Sequence, residues 1–194
     1  MLHFFVLGMA KLEKELQQAI VSMPQKDKDK LLLRLIGKDE VLIQQLTFTL
    51  VEEGLTVESR REDIKIIIDT LYDTPVFSSG YLMMDMRFTN AQITRHVKVT
   101  KDKYGEVELT LKLLKDCFEK QLKWIEKYNS KSDTLALYIV KRVDFLLKKL
   151  VKLHPDIQFD FHADTNTLLG YIHKHGTAHY AREMGLPKIF EIAE

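Results

Sequence analysis

Five of the seven histidines fall between His154 and His179. His175, His179 and Glu183 recur at i, i+4 and i+8, a spacing that sets two imidazoles and a carboxylate on one helix face and suits zinc or another divalent ion. Gly176 interrupts that spacing, no His-Glu-x-x-His pairing occurs, and the single cysteine, Cys117, lies far away in sequence. Asp160, His162 and Asp164 could supply an acid and a base, but alternating polar residues in a loop give the same pattern. Surface or structural histidine is the more economical reading. No catalytic, cofactor-binding or metal-ligating residue is therefore assigned, and no cofactor is expected. A metal-dependent hydrolase built on the C-terminal histidines is kept as an alternative.

A second constellation is cationic. Lys141, Arg142, Lys148, Lys149 and Lys152 are opposed by one acid, Asp144, within their own stretch. Lys141, Lys148 and Lys152 share one side, opposite an apolar stripe, and such a face can contact phosphates or acidic protein segments. Trp124 and Tyr128, one helical turn apart, would offer a stacking surface for bases. The stretch before it mixes Lys112, Asp116, Glu119, Lys123 and Glu126, which reads as ordinary i, i+4 pairing. Net charge is +1 overall but uneven: −3 over residues 1–94, +7 over 95–154 and −3 over 155–194. The basic middle is either matched internally or offered to an acidic partner.

Other chemistry lacks its signature. There is no Gly-rich phosphate loop, Cys-x-x-Cys pair or Gly-x-Ser-x-Gly elbow. Cys117 follows Leu114 by three residues and reads as a small core hydrophobe; Met83, Met84 and Met86 read chiefly as core filling. One cysteine permits no internal disulfide and fits a reducing compartment, so a cytoplasmic location is expected. No apolar run approaches the roughly 18 residues a membrane span needs. The segment Leu2-His3-Phe4-Phe5-Val6-Leu7-Gly8 lacks the basic flank of a signal peptide. It reads either as an extension ahead of a start at Met9 or as a hydrophobic arm.

The elements that would position these residues are helices. The chain is 194 residues long, 45% apolar and 29% charged, with four prolines and eight glycines, which fits a single helical domain with long unbroken elements. Ile64, Ile67, Ile68, Leu71 and Tyr72 recur at i, i+3, i+4, i+7 and i+8. Similar stripes predict helices near 10–22, 24–36, 39–53 and 57–72, with Leu12, Leu16, Ile20 and Met23 inward in the first and Leu31, Leu32, Leu35 and Ile36 inward in the second. Asp39 suits an N-cap, Gly37 a left-handed C′ position, and Gly54 a stop. Further helices are expected near 79–100, 105–129 and 134–153, the last of them central and well buried. Phe159 and Phe161 read as an extended segment before shorter helices at 163–174 and 177–184.

Residues 96–112 alternate in a way that also allows a β-hairpin around Lys101–Gly105. The helical reading is preferred because Val107, Leu111, Leu114, Phe118, Leu122 and Ile125 form one near-heptad series. The expected fold is all-α: an irregular array of about nine antiparallel helices, stacked like helical repeats or closed as a bundle, with a soft boundary near 74–80. The expected role is a non-enzymatic protein-interaction or scaffold domain, with a nucleic-acid-associated protein using the 141–152 face as the alternative.

Overall fold

The computed structural model describes residues 12–192, which hold nine α-helices and no strand. They fall into two compact units, divided between Ile43 and Gln44. The first eleven residues and the last two, including the hydrophobic arm and the start of the predicted first helix, lie outside the described residues.

The N-terminal unit contains α1 (Lys14–Ser22), α2 (Gln25–Ile36) and the beginning of α3 (Glu40–Leu46). Asp39 caps α3 as expected: its Oδ1 accepts from the amides of Val41 and Leu42, both at 3.0 Å. Gly37 departs from expectation. It stays right-handed, with φ −60°. The amides of Gly37, Lys38 and Asp39 donate back to Leu33, Leu35 and Ile36, so the chain continues as overlapping turns and never reverses. The inward faces of α1 and α2 are also corrected: neither helix holds a buried residue. Ile20, Met23, Leu31 and Ile36 are half-buried, while Leu16 and Leu32 are about half exposed. Short helices enclose too little volume to hide a whole stripe.

In the larger unit α3 does not run on as a regular helix to Glu53. A widened turn, Thr47–Val51, follows it and buries Phe48. Here the Glu52 amide reaches back five residues to Thr47. Glu53 and Gly54 then turn left-handed, at φ 53° and 75°, which ends the element where glycine was expected to end it. Next come α4 (Val57–Asp73), α5 (Ser79–Thr100), α6 (Lys103–Gln121), α7 (Asp133–Leu150), α8 (Pro155–Lys174) and α9 (Ala178–Glu183). No helix among the described residues is long and apolar enough to cross a membrane.

The hairpin alternative at 96–112 is excluded. Helix α5 runs through Thr100, and Lys101 ends it in the left-handed region at φ 63°. Asp102 then starts α6 by accepting from the Gly105 amide at 2.8 Å. The apparent alternation came from residues buried on several sides of α6. That helix does not reach 129 either, since it tightens into a 3-10 turn at Leu122–Trp124. Phe159 and Phe161 lie within α8, not in an extended strand. Pro155 occupies the first helical turn, with the His154 side chain accepting from the Asp156 amide, so α8 begins eight residues earlier than expected. Phe161 is buried and Phe159 is 73% exposed, an ordinary pairing of helix faces.

The core is organised around α6, which packs against α4, α5, α7 and α8. Eleven of its nineteen residues are buried, against eight of eighteen in α7, which was expected to be the central helix. Every member of the Val107-to-Ile125 series is buried except Leu122, which packs partly buried against the core. Tyr72 fastens α4 to α6: its hydroxyl donates to the Leu113 carbonyl at 2.5 Å, and Gln121 Nε2 donates to the Tyr72 carbonyl at 3.2 Å. Leu114→Ala should therefore lower the unfolding free energy by about 2–5 kcal/mol, a transfer loss plus a cavity. Leu33→Ala, where the side chain is 69% exposed, should change it by no more than about 0.5 kcal/mol. Urea titrations followed by circular dichroism read both.

Candidate functional site

His175 and His179 line one open concavity together with Glu126 and Arg182. His175 ends α8 in an extended conformation, with its ring 5.9 Å from that of Phe118. Burial pushes its pKa below the usual histidine value, with Lys174 adding to the effect. His179 lies on α9 with its ring 3.9 Å from Tyr180 and 4.6 Å from Tyr128. Among the described residues no group of three or more His, Cys, Asp or Glu side chains is placed to hold a metal ion. Gly176, which breaks the spacing, has a packing reason. Its amide donates to the Ile125 carbonyl at 2.8 Å, and a Cβ there would meet the backbone of residues 125–128 at 2.8–2.9 Å. Asp160, His162 and Asp164 sit on α8 and not in a loop. Asp164 pairs with Lys115 at 2.7 Å, and His162 lies 3.1 Å from the Asn166 amide nitrogen.

The basic face is partly matched within the fold. Lys149 Nζ lies 2.8 Å from Glu106 on α6, and Lys148 pairs with Asp144 at 2.6 Å. Arg142 donates to Asn90 Oδ1 at 3.3 Å, and both Arg142 and Lys149 stand 4.9 Å from the ring of Phe145. Lys141 and Lys152 are exposed, and Lys152 lies beyond the end of α7. The proposed stacking pair is not one turn apart on a helix, because the chain leaves helical geometry after Trp124. Tyr128 instead meets His179 edge-on.

A buried ionic cluster joins α4, α5 and α6. Arg61 Nε lies 3.0 Å from Asp102 Oδ2, and the same oxygen accepts from His96 Nε2–H at 3.1 Å. Arg61 also reaches Glu108 at 3.2 Å, and Lys65 reaches the other oxygen of Glu108 at 2.9 Å. Tyr104 lies under the Arg61 guanidinium at 5.1 Å. Burial alone would raise the Asp102 pKa. The hydrogen bonds from His96 and the Gly105 amide, with the charge of Arg61, outweigh it and hold the carboxyl below its ordinary range. A histidine held by a carboxylate resembles half of a catalytic relay, but only 3% of the His96 side chain is exposed, so no substrate reaches it. The cluster positions helices.

The feature that residue-type reasoning missed is an apolar groove of about 340 Å³ between α4 and α5. Ile66, Ile67, Thr70, Leu71, Asp85 and Phe88 line it. Ile66 is 63% and Phe88 64% exposed, and Tyr81 and Met84 extend the Phe88 face of α5 at 60% each. The signal was present in sequence. Three consecutive isoleucines, 66–68, exceed what one helix face can bury, so one must point outward. Of the methionines, Met86 is core, Met83 is partly buried and Met84 lies on this exposed face. No family model, curated protein or solved structure matches the chain.

Two outcomes test these assignments. Asp102→Asn keeps an N-cap acceptor but removes the charge that Arg61 and His96 both meet, while Arg61 retains Glu108 and Glu58. It should cost about 1–3 kcal/mol near neutral pH. A depressed carboxylate adds stability above its unfolded pKa and loses it as pH falls through the folded value, so the wild-type advantage should narrow in acid. Denaturant titrations across pH measure this. Cys117 is fully buried, and desolvation pushes its thiol up to about 12. A thiol reagent at about pH 8 should thus label the protein only after unfolding.

Proposed function

We propose that this chain is a non-enzymatic protein-interaction domain, and that its docking site is the groove between α4 and α5. The partner would present an amphipathic helix, with one or two apolar anchors entering between Ile66 and Phe88 and a basic residue meeting Asp85 at the rim. The observation that carries this reading is the pairing of two large side chains, Ile66 and Phe88, each more than 60% exposed on well-packed helices and facing one groove. Single exposed apolar residues are commonplace, whereas adjoining ones on rigid elements mark contact surfaces. The groove's volume, about 340 Å³, suits one or two side chains. Behind it, the successive hairpins of α4 to α8 would act as a helical-repeat-like scaffold. The lone buried thiol accords with a cytoplasmic setting.

The nucleic-acid reading has weaker support. Lys148 and Lys149 already face carboxylates and Arg142 faces Asn90, which leaves Lys141 and Lys152 as too few cations for strong counterion release.

A photo-crosslinking residue in place of Phe88 should capture one protein from the native cell. Ile66→Glu should abolish that capture. Val151→Glu, at a 57%-exposed position away from the groove, should not. Both changes are at exposed sites and should alter stability by about 0.5 kcal/mol at most. Capture that is indifferent to Ile66→Glu would contradict the proposal.

A further inference from the structure

A second concavity, of about 210 Å³, opens where the ends of α5, α6 and α7 meet. Lys101 follows α5, Lys103 begins α6, and Lys149 and Lys152 belong to the end of α7 and the turn after it. Val97 and Leu153 supply an apolar wall, and Glu106 is the sole acid in the lining. Glu106 is already compensated: both of its oxygens accept from Lys149, at 2.8 and 2.9 Å, and its side chain is only 12% exposed. Three lysines remain. No described carboxylate lies within ion-pair distance of Lys101, Lys103 or Lys152, so the pocket holds a net charge of about three.

Lys101 adds a separate observation. It occupies the left-handed region, φ 63°, where glycine or asparagine is the usual residue. Its Nζ donates to the Lys98 carbonyl at 2.9 Å, leaving further ammonium hydrogens for a ligand.

We infer that this pocket binds a small, multiply charged phosphate group. The ammonium groups act as point charges suited to phosphate oxygens. The volume falls below the roughly 300 Å³ at which drug-sized sites begin, so it suits a phosphate or pyrophosphate moiety with a short apolar neighbour against Val97 and Leu153. Such a group can come from a free phosphorylated metabolite or from a phosphorylated lipid headgroup. The site is separate from the α4–α5 groove, and its test uses none of that groove's residues.

The full chain is titrated with inorganic pyrophosphate at low ionic strength, by calorimetry and by amide NMR. In parallel it is mixed with phosphatidylcholine vesicles, with and without phosphatidylinositol bisphosphate. Saturable pyrophosphate binding is expected, with amide shifts centred on residues 97–106 and 149–153. The Lys103→Gln/Lys152→Gln double variant should weaken it about tenfold or more. Lys141→Gln, on the same basic helix but outside the pocket, should leave it unchanged. Sedimentation with the phosphoinositide vesicles, competed by pyrophosphate and lost in the double variant, would assign the group to a lipid headgroup; pyrophosphate binding without vesicle binding would assign it to a free anion. Absence of saturable binding to both probes would overturn the inference. So would binding that the double variant leaves intact, or that Lys141→Gln weakens equally.

Discussion

The fold depends on burying α6 while answering the charges it carries beyond its first residue, Lys103. That helix carries Glu106, Glu108, Lys112, Lys115, Asp116 and Lys120 between its buried leucines, and nearly all of them meet a partner on another helix. Glu106 meets Lys149 of α7, Glu108 meets Arg61 and Lys65 of α4, Lys112 meets Asp69 of α4, and Lys115 meets Asp164 of α8. Such pairs gain little over apolar packing when intact, but losing one partner leaves a charge stranded at reduced dielectric. They set register and orientation while Leu109, Leu113 and Leu114 supply the apolar burial. The Arg61–Asp102–His96 cluster closes this system at the start of α6, where Asp102 is both helix cap and counterion.

This arrangement explains why α6 looked less central in sequence than α7. Charge at several positions of a helix normally signals a solvated side. Here Lys112 does pair with Asp116 four residues on, at 2.7 Å, as local pairing predicts, but it also reaches Asp69 across the helix boundary at 2.8 Å. Nothing in the spacing of Lys112 announces Asp69. The stripes of α4 and α7 were legible because apolar residues recur there at helical spacing, and the cap residue Asp39 was legible because capping is local. The start of α8 was hidden because Asp160 and His162 alternate with Phe159 and Phe161, a period-two pattern that a helix with one buried and one exposed phenylalanine also produces.

The candidate surfaces divide in the same way. Histidine spacing suggested a metal site, but the glycine between the histidines separates the end of α8 from α9 and is needed for backbone contact with residues 125–128. The lysines of residues 141–152 were visible as a run, but their partition was not. Lys149 serves the interior through Glu106, while Lys152 joins Lys101 and Lys103 from other elements at one concavity. The apolar groove arises because α4 carries one large apolar position, Ile66, and α5 three, Tyr81, Met84 and Phe88, that the core does not accept. Satisfied charges inside and unsatisfied apolar and cationic surfaces outside are thus consequences of the same packing around α6.

Native-state amide hydrogen exchange tests that packing most directly, because it reads the opening free energy of each helix separately. If α6 is the internal strut, the amides of residues 107–118 should exchange only through global unfolding, with protection matching the free energy from denaturant titration. Those of α1 and α2, which bury no residue, should exchange far faster. Exchange in α6 as fast as in α1 would contradict the account, since it would mean that the helix opens without the rest of the fold.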